Sequence, residues 1–186
     1  LNALANLFGI GGGSLISRLL GQNRTEDART VCSFSVYGTI VITALYSAGC
    51  YLFMEPLLYA IGASPNTFPY AQAYTLWVIV AGGIPATLSI AMAQLLRSEG
   101  YARQASFGLG MGGIINIFLD PLFMFVILEP GQEVAGAAIA TLLSNLIALV
   151  YFCIQFYRLR GTTVLSAAPS LLPAGSRFAG QILSVG

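Results

Sequence analysis

Residues 31–53 read VCSFSVYGTIVITALYSAGCYLF, 23 residues without a charge. An α-helix needs about 20 mostly apolar residues to cross the hydrocarbon core of a bilayer, so this stretch is long enough to span one. The pattern repeats on both sides of it. Apolar blocks occupy about 1–20, 70–96, 106–128 and 134–157, and a further one opens at 178–186. Residues 1–20 are expected to supply half or more of a helix. Residues 54–69, with Pro56, Gly62, Ser64, Pro65 and Asn66, carry turn signals and read as a loop. Residues 129–133 read as a tight turn, and 158–177 as a longer polar connection. Gly82-Gly83-Ile84-Pro85 predicts a bend inside 70–96. The fold class is therefore all-α, a polytopic transmembrane helix bundle.

Composition agrees. Only 8% of the 186 residues are charged, 56% are hydrophobic and the mean hydropathy is +0.79, whereas soluble domains carry about 25% charged residues. Lysine is absent and the net charge is +1, which argues against a nucleic-acid partner, because phosphate binding needs a dense basic surface. Without histidine, neither a Ser-His-Asp nor a Cys-His catalytic group can be assembled from this chain, and an enzyme is not expected. Cys32, Cys50 and Cys153 form no CxxC and lie in apolar blocks, so they read as small packing residues. No cofactor is expected apart from a coupling ion. The chain opens at Leu1 and closes at Gly186, each inside an apolar stretch, and reads as an internal fragment of a longer protein.

The arginines orient the bundle. Arg18, Arg24 and Arg29 lie in or beside loop 21–30, Arg97 and Arg103 in 97–105, and Arg158, Arg160 and Arg177 in 158–177. The intervening loops hold Glu55, Glu129 and Glu133 and no basic residue. By the positive-inside rule, loops 21–30, 97–105 and 158–177 are cytoplasmic.

Few residues in the spans carry chemistry. Asp120 is the acid set well inside one, where a carboxylate is costly unless neutralised, solvated or coordinated to a cation. Asn116 lies one turn earlier on the same face and Gly112 a turn before that. The stripe offers close helix approach, an amide oxygen and a carboxylate, which are hard-oxygen ligands for a small cation. The competing reading makes Asp120 a hydrated helix end beside Pro121. Thr141, Ser144 and Asn145 form a second polar group, where interhelical hydrogen bonding is the simpler reading. Gly9/Gly13 and Gly108/Gly112 have the GxxxG spacing of close helix packing. With no GK[ST] following Gly9-Ile-Gly11, a phosphate loop is excluded. Tyr74 and Trp77 have two readings, the wall of a cavity for aromatic or cationic compounds or an aromatic belt. Tyr70 fits the belt.

Four segments together resemble one family. Residues 13–21 (GSLISRLLG), 94–100 (QLLRSEG), 116–121 (NIFLDP) and 136–141 (GAAIAT) are similar, in this order, to the end of the second helix, the Leu-Arg-x-x-Gly near the fourth, the Asn-x-x-x-Asp-Pro of the fifth and the opening of the sixth helix of multidrug and toxic compound extrusion (MATE) transporters. The resemblance implies a twelve-helix antiporter of two six-helix lobes, with this chain supplying most of the N-terminal lobe. Residues 158–177 would be the cytoplasmic connection between lobes and 178–186 the start of the second lobe's first helix. It further implies that Asp120, Asn116 and Thr141 bind Na⁺ or H⁺ together with an aspartate on a first helix outside this chain. Tyr74, Trp77 and Asn145 become candidates for the substrate cavity. The expectation is export of small organic, cationic or amphipathic compounds in exchange for Na⁺ or H⁺, by a monomer in the cell membrane. The alternatives are a lipid-linked oligosaccharide flippase of the same superfamily, which would show basic residues facing its cavity, and a membrane assembly subunit without transport.

Overall fold

The computed structural model describes residues 1–128, 131–171 and 176–184. Its helices are α1 (Asn2–Gly21), α2 (Thr25–Leu52), α3 (Met54–Ala60), α4 (Phe68–Thr75), α5 (Gly83–Ser98), α6 (Ala102–Leu122), α7 (Glu133–Arg158) and the short α8 (Ala179–Leu183). A π-helical segment, Leu76–Ala81, links α4 to α5, and another, Phe123–Ile127, extends α6. Among the described residues there is no strand, and one isolated β-bridge joins Arg160 and Thr163.

Among the described residues, four helical stretches are long and apolar enough to cross a membrane: α1, α2, α6 with its extension, and α7. The α4–α5 pair, bent by 47°, passes the same test when its two helices are taken together as one span. The bend falls where the glycines and proline predict it. An added Cβ at Gly82 would lie 2.9 Å from both the Trp77 and Val78 carbonyl oxygens, and Pro85, in the first turn of α5, has no N–H to give. α1 has 20 residues and is long and apolar enough to cross. The stretch 54–69 is corrected. It contains α3, because Pro56 falls in that helix's first turn, where its missing N–H would be unpaired in any case. α2 also starts before its apolar run, at Thr25. Glu26 and Asp27 sit in the first turn, where acids complement the helix dipole, and pair with Arg29 at 3.3 Å and Arg24 at 2.8 Å. Of the turn at 129–133, residues 129 and 130 lie outside the described residues, as do 172–175 of the connection.

The helices pack through glycines and hydroxyls. Gly9 faces Ala91, 3.1 Å from where its Cβ would be, and Gly13 faces Ser98, so α1 lies close against α5. Gly12 meets Ser35 of α2. Gly108 and Gly112 face Phe152, Tyr151 and Ala148 of α7. α2 buries a seam of hydroxyls, Ser35, Thr39, Thr43 and Ser47, one turn apart. Thr39 donates to its own helix at the Ser35 carbonyl (2.8 Å), Thr43 and Thr87 share a hydrogen bond of 2.9 Å, and Ser47 donates to the Ile79 carbonyl within the break of the bent span (2.8 Å).

The three arginine-bearing connections meet at one end of the bundle. Ser17 Oγ donates to the Ser98 carbonyl at 3.0 Å, joining the end of α1 to the α5–α6 turn. The connection after α7 folds back on the same end. Ser33 Oγ donates to Ser166 O and Tyr37 Oη to Ala167 O, both at 3.0 Å, and the Val164 N–H donates to Glu99 Oε2 at 3.3 Å. Val164 and Leu165 are buried in the core. The connection is thus no solvated linker along these residues. Burial pushes the Glu99 carboxyl above its ordinary range, against the opposing pull of the Val164 N–H and Arg29. Glu99 Oε1 is buried with no hydrogen-bond partner among the described residues.

Candidate cation site

Three polar side chains converge between α6 and α7. Asn116 and Asp120 are one helical turn apart, and the Asn116 Nδ2 donates to Asp120 Oδ1 at 2.9 Å. The same nitrogen lies 3.5 Å from Thr141 Oγ1 on α7. Thr141 gives its own hydroxyl proton to the Ala137 carbonyl at 2.9 Å, which turns its oxygen lone pairs toward Asn116. All three side chains are half-buried.

Close packing brings the two helices to this distance. An alanine Cβ at Gly112 would stand 3.2 Å from Ala148 Cβ, and one at Gly136 would stand 2.8 Å from the Phe123 carbonyl oxygen. Pro121 lacks the N–H that would bond to the Ile117 carbonyl, and the π-helical segment begins two residues later. Helical backbone continues through Pro121 to Ile127, about 10 Å further along the axis at 1.5 Å per residue. Asp120 is therefore inside the span and is not its terminal residue.

A cavity of about 160 Å³ opens beside Asn116, lined also by Ser89, Gly112, Thr141, Ser144 and Asn145. Ser89 of α5 donates to the Pro85 carbonyl at 2.7 Å and lies 3.5 Å from the Asn145 carbonyl. Sequence reading passed over Ser89, because a lone serine in an apolar helix looks like packing. Its one signal is the ordinary ability of a helical serine to bond the carbonyl one turn back. Asn145 shares this cavity. Tyr74 and Trp77 do not line it and are exposed at 44% and 40%. Tyr70 is exposed too. No group of three His, Cys, Asp or Glu suited to a metal ion occurs among the described residues.

The arrangement presents oxygens of three kinds, from carboxylate, amide and hydroxyl. Turning the Asn116 amide exchanges its N–H for its carbonyl oxygen, so one side chain can either donate to Asp120 or join it as a ligand.

Comparison with known proteins places this geometry in context. A family profile described as MatE matches residues 2–122. The multidrug export protein MepA of Staphylococcus saprophyticus is 31% identical over all 186 residues, and that of Staphylococcus aureus (strain NCTC 8325) is 30% identical over the same span. The chain spans about 40% of the length of these relatives. Among solved structures, an inward-facing multidrug resistance MATE family transporter of the MOP superfamily superposes with a TM-score of 0.89 at 26% identity, covering 99% of this chain and 41% of that one. An outward-facing conformation gives 0.80 at 26% identity, covering 98% and 41%.

Proposed function

The chain belongs to the MatE family of membrane transporters, and from that premise we propose that it forms most of the N-terminal lobe of an antiporter exporting organic, cationic or amphipathic compounds in exchange for Na⁺ or H⁺. The carrying observation is the convergence of Asp120, Asn116 and Thr141 between two helices long and apolar enough to cross a membrane. Asp120 binds the coupling ion as the charged ligand. Asn116 and Thr141 complete the near side with neutral oxygens, and a first helix outside this chain closes the far side. Loops 21–30, 97–105 and 158–177 face the cytoplasm, and 158–177 connects the lobes. Exchange follows if ion and substrate stabilise states facing opposite sides, or compete for the same lobe. Asn145 meets the substrate from the shared cavity, while Tyr74 and Trp77 offer aromatic faces to an organic cation from a separate exposed surface. The complete protein acts as a monomer. The flippase reading is not favoured, since the relatives are named as multidrug exporters and the lining of the cavity beside Asn116 includes no basic residue.

The test is Asp120→Asn in the full-length protein, with gradient-driven efflux measured in proteoliposomes and expression measured alongside. The substitution keeps size and hydrogen bonding, and a neutral amide inserts into a bilayer more easily than a charge. Efflux should collapse at near-normal expression. Wild-type efflux with unchanged ion dependence would overturn the assignment.

A further inference from the structure

A trough of about 400 Å³ lies between the end of α7, Met92 of α5 and residues 165–169 of the connection. Its walls are largely apolar, with Met92, Cys153, Phe156 and Leu165, and its polar side chains are Arg160, Ser166 and Tyr157. The Arg160 guanidinium is exposed and has no carboxylate or hydrogen-bond partner among the described residues. Ser166 Oγ accepts the Ala168 N–H at 3.3 Å, leaving its hydroxyl proton to donate. The connection is fixed in shape here, because Cys32 Sγ accepts the Ser166 N–H (3.4 Å), and Ser33 and Tyr37 hold the next two carbonyls. The approach is apolar as well. Val150, Ile154 and Tyr157 expose 58%, 49% and 76% of their surfaces along α7 as it runs to the trough, a face suited to acyl chains.

An apolar slot continuous with the exposed apolar face of α7, lined also by one cation and by the hydroxyls of Ser166 and Tyr157, fits an amphiphile with an anionic head. We propose that the trough holds one anionic phospholipid of the arginine-side leaflet, its phosphate on Arg160 and Ser166 and an acyl chain along Met92, Cys153 and Phe156. Arg160 repels an organic cation, which separates this site from the export route. The leaflet, cytoplasmic, rests on the orientation proposed above; the chemistry of the slot does not. One basic residue near an anionic lipid surface favours the charged lipid by about fivefold. By wedging between α7 and the connection, the lipid makes the packing of that connection sensitive to membrane composition.

The test uses the full-length protein in phosphatidylcholine nanodiscs doped with photoactivatable phosphatidylglycerol or, separately, photoactivatable phosphatidylcholine, with cross-linked peptides mapped by mass spectrometry. Phosphatidylglycerol should label residues 153–169 about fivefold more. Arg160→Gln should abolish the excess by removing the charge, and Cys153→Trp should abolish it by filling the slot, while Arg103→Gln, an exposed arginine on another turn, should leave it intact. Equal labelling by the two lipids, or an excess that survives either trough variant, overturns the proposal. So does competition by inorganic phosphate, which would mark a site for a free ion. A cysteine placed at Thr162 that reacts from outside intact cells would reverse the orientation and leave the nanodisc result standing.

Discussion

Gly136→Ala tests whether the α6–α7 contact sets the geometry of the candidate site. The added Cβ would fall 2.8 Å from the Phe123 carbonyl oxygen, 2.9 Å from its carbon and 3.0 Å from the Met124 nitrogen. All three are backbone atoms, and no side chain can rotate away to relieve the contact. Ordinary separation requires α7 to retreat by about 0.5 Å, with an overpacking cost of roughly 1–3 kcal/mol. Thr141 lies five residues on, about 7.5 Å along the axis, and moves with it. The Asn116–Thr141 separation is already 3.5 Å, at the limit of a hydrogen bond, so the contact is lost. The Asn116–Asp120 bond lies within one helix and survives. Displacing Thr141, the neutral oxygen ligand on α7, removes a polar contact of about 0.5–1.5 kcal/mol and should weaken apparent coupling-ion affinity by roughly 2- to 10-fold. The assay is ion-dependent efflux in proteoliposomes, with thermal melting of the purified full-length protein, which should fall by a few degrees. Gly110→Ala is the control, as nothing lies within 4 Å of its added Cβ. Wild-type melting together with unchanged ion dependence in Gly136→Ala would refute the reasoning.

Two further substitutions probe packing and charge. Gly112→Leu drives a branched side chain into Ala148, 3.2 Å from the Cβ position, and should sharply lower the yield of folded protein; a well-expressed, fully active variant would show that the α6–α7 contact gives way. Glu99→Gln addresses pH. Because burial raises this carboxyl above its ordinary range, the folded state binds its proton more tightly than the unfolded chain does, and stability falls as pH rises from the ordinary glutamate value through the raised one. The glutamine variant should lose that slope and melt no lower than wild type at neutral pH, and an undiminished slope in a series of melts across the acid range would count against Glu99 as its source.

The spans were legible because each is a long apolar run, and the Asn116–Asp120 pair because four residues make one helical turn. The bend at Gly82–Pro85 was equally plain. The segments that escaped sequence reading depend on contacts distant in the chain. Residues 163–168 read as a polar linker, yet Val164 and Leu165 are buried because Ser33, Tyr37 and Glu99, more than 60 positions away, bind the backbone around them. α3 was hidden by Pro56, a residue type disfavoured inside helices but well placed in a first turn. The π-helical segment after Pro121 has no period of its own in the sequence. That Thr141 lies opposite Asn116 follows from glycines that admit α7, a matter of where two helices cross.

Helices that shift against each other inside hydrocarbon must not strand a polar group on the way. The hydroxyl seam of α2 meets that demand over its middle. Thr39 and Thr87 are each bonded within their own helix, to Ser35 and Gly83, and stay satisfied when α2 and α5 part. Only the Thr43–Thr87 bond breaks, and Thr43 has the Thr39 carbonyl one turn back to accept its proton. Toward the ends, Ser47 donates to the broken span and Ser33, beside the seam, to the connection, while Ser35 Oγ is buried with no hydrogen-bond partner among the described residues. α2 is thus tethered near its ends, and the one hydroxyl bond that crosses to α5 between them is one it can replace from its own backbone.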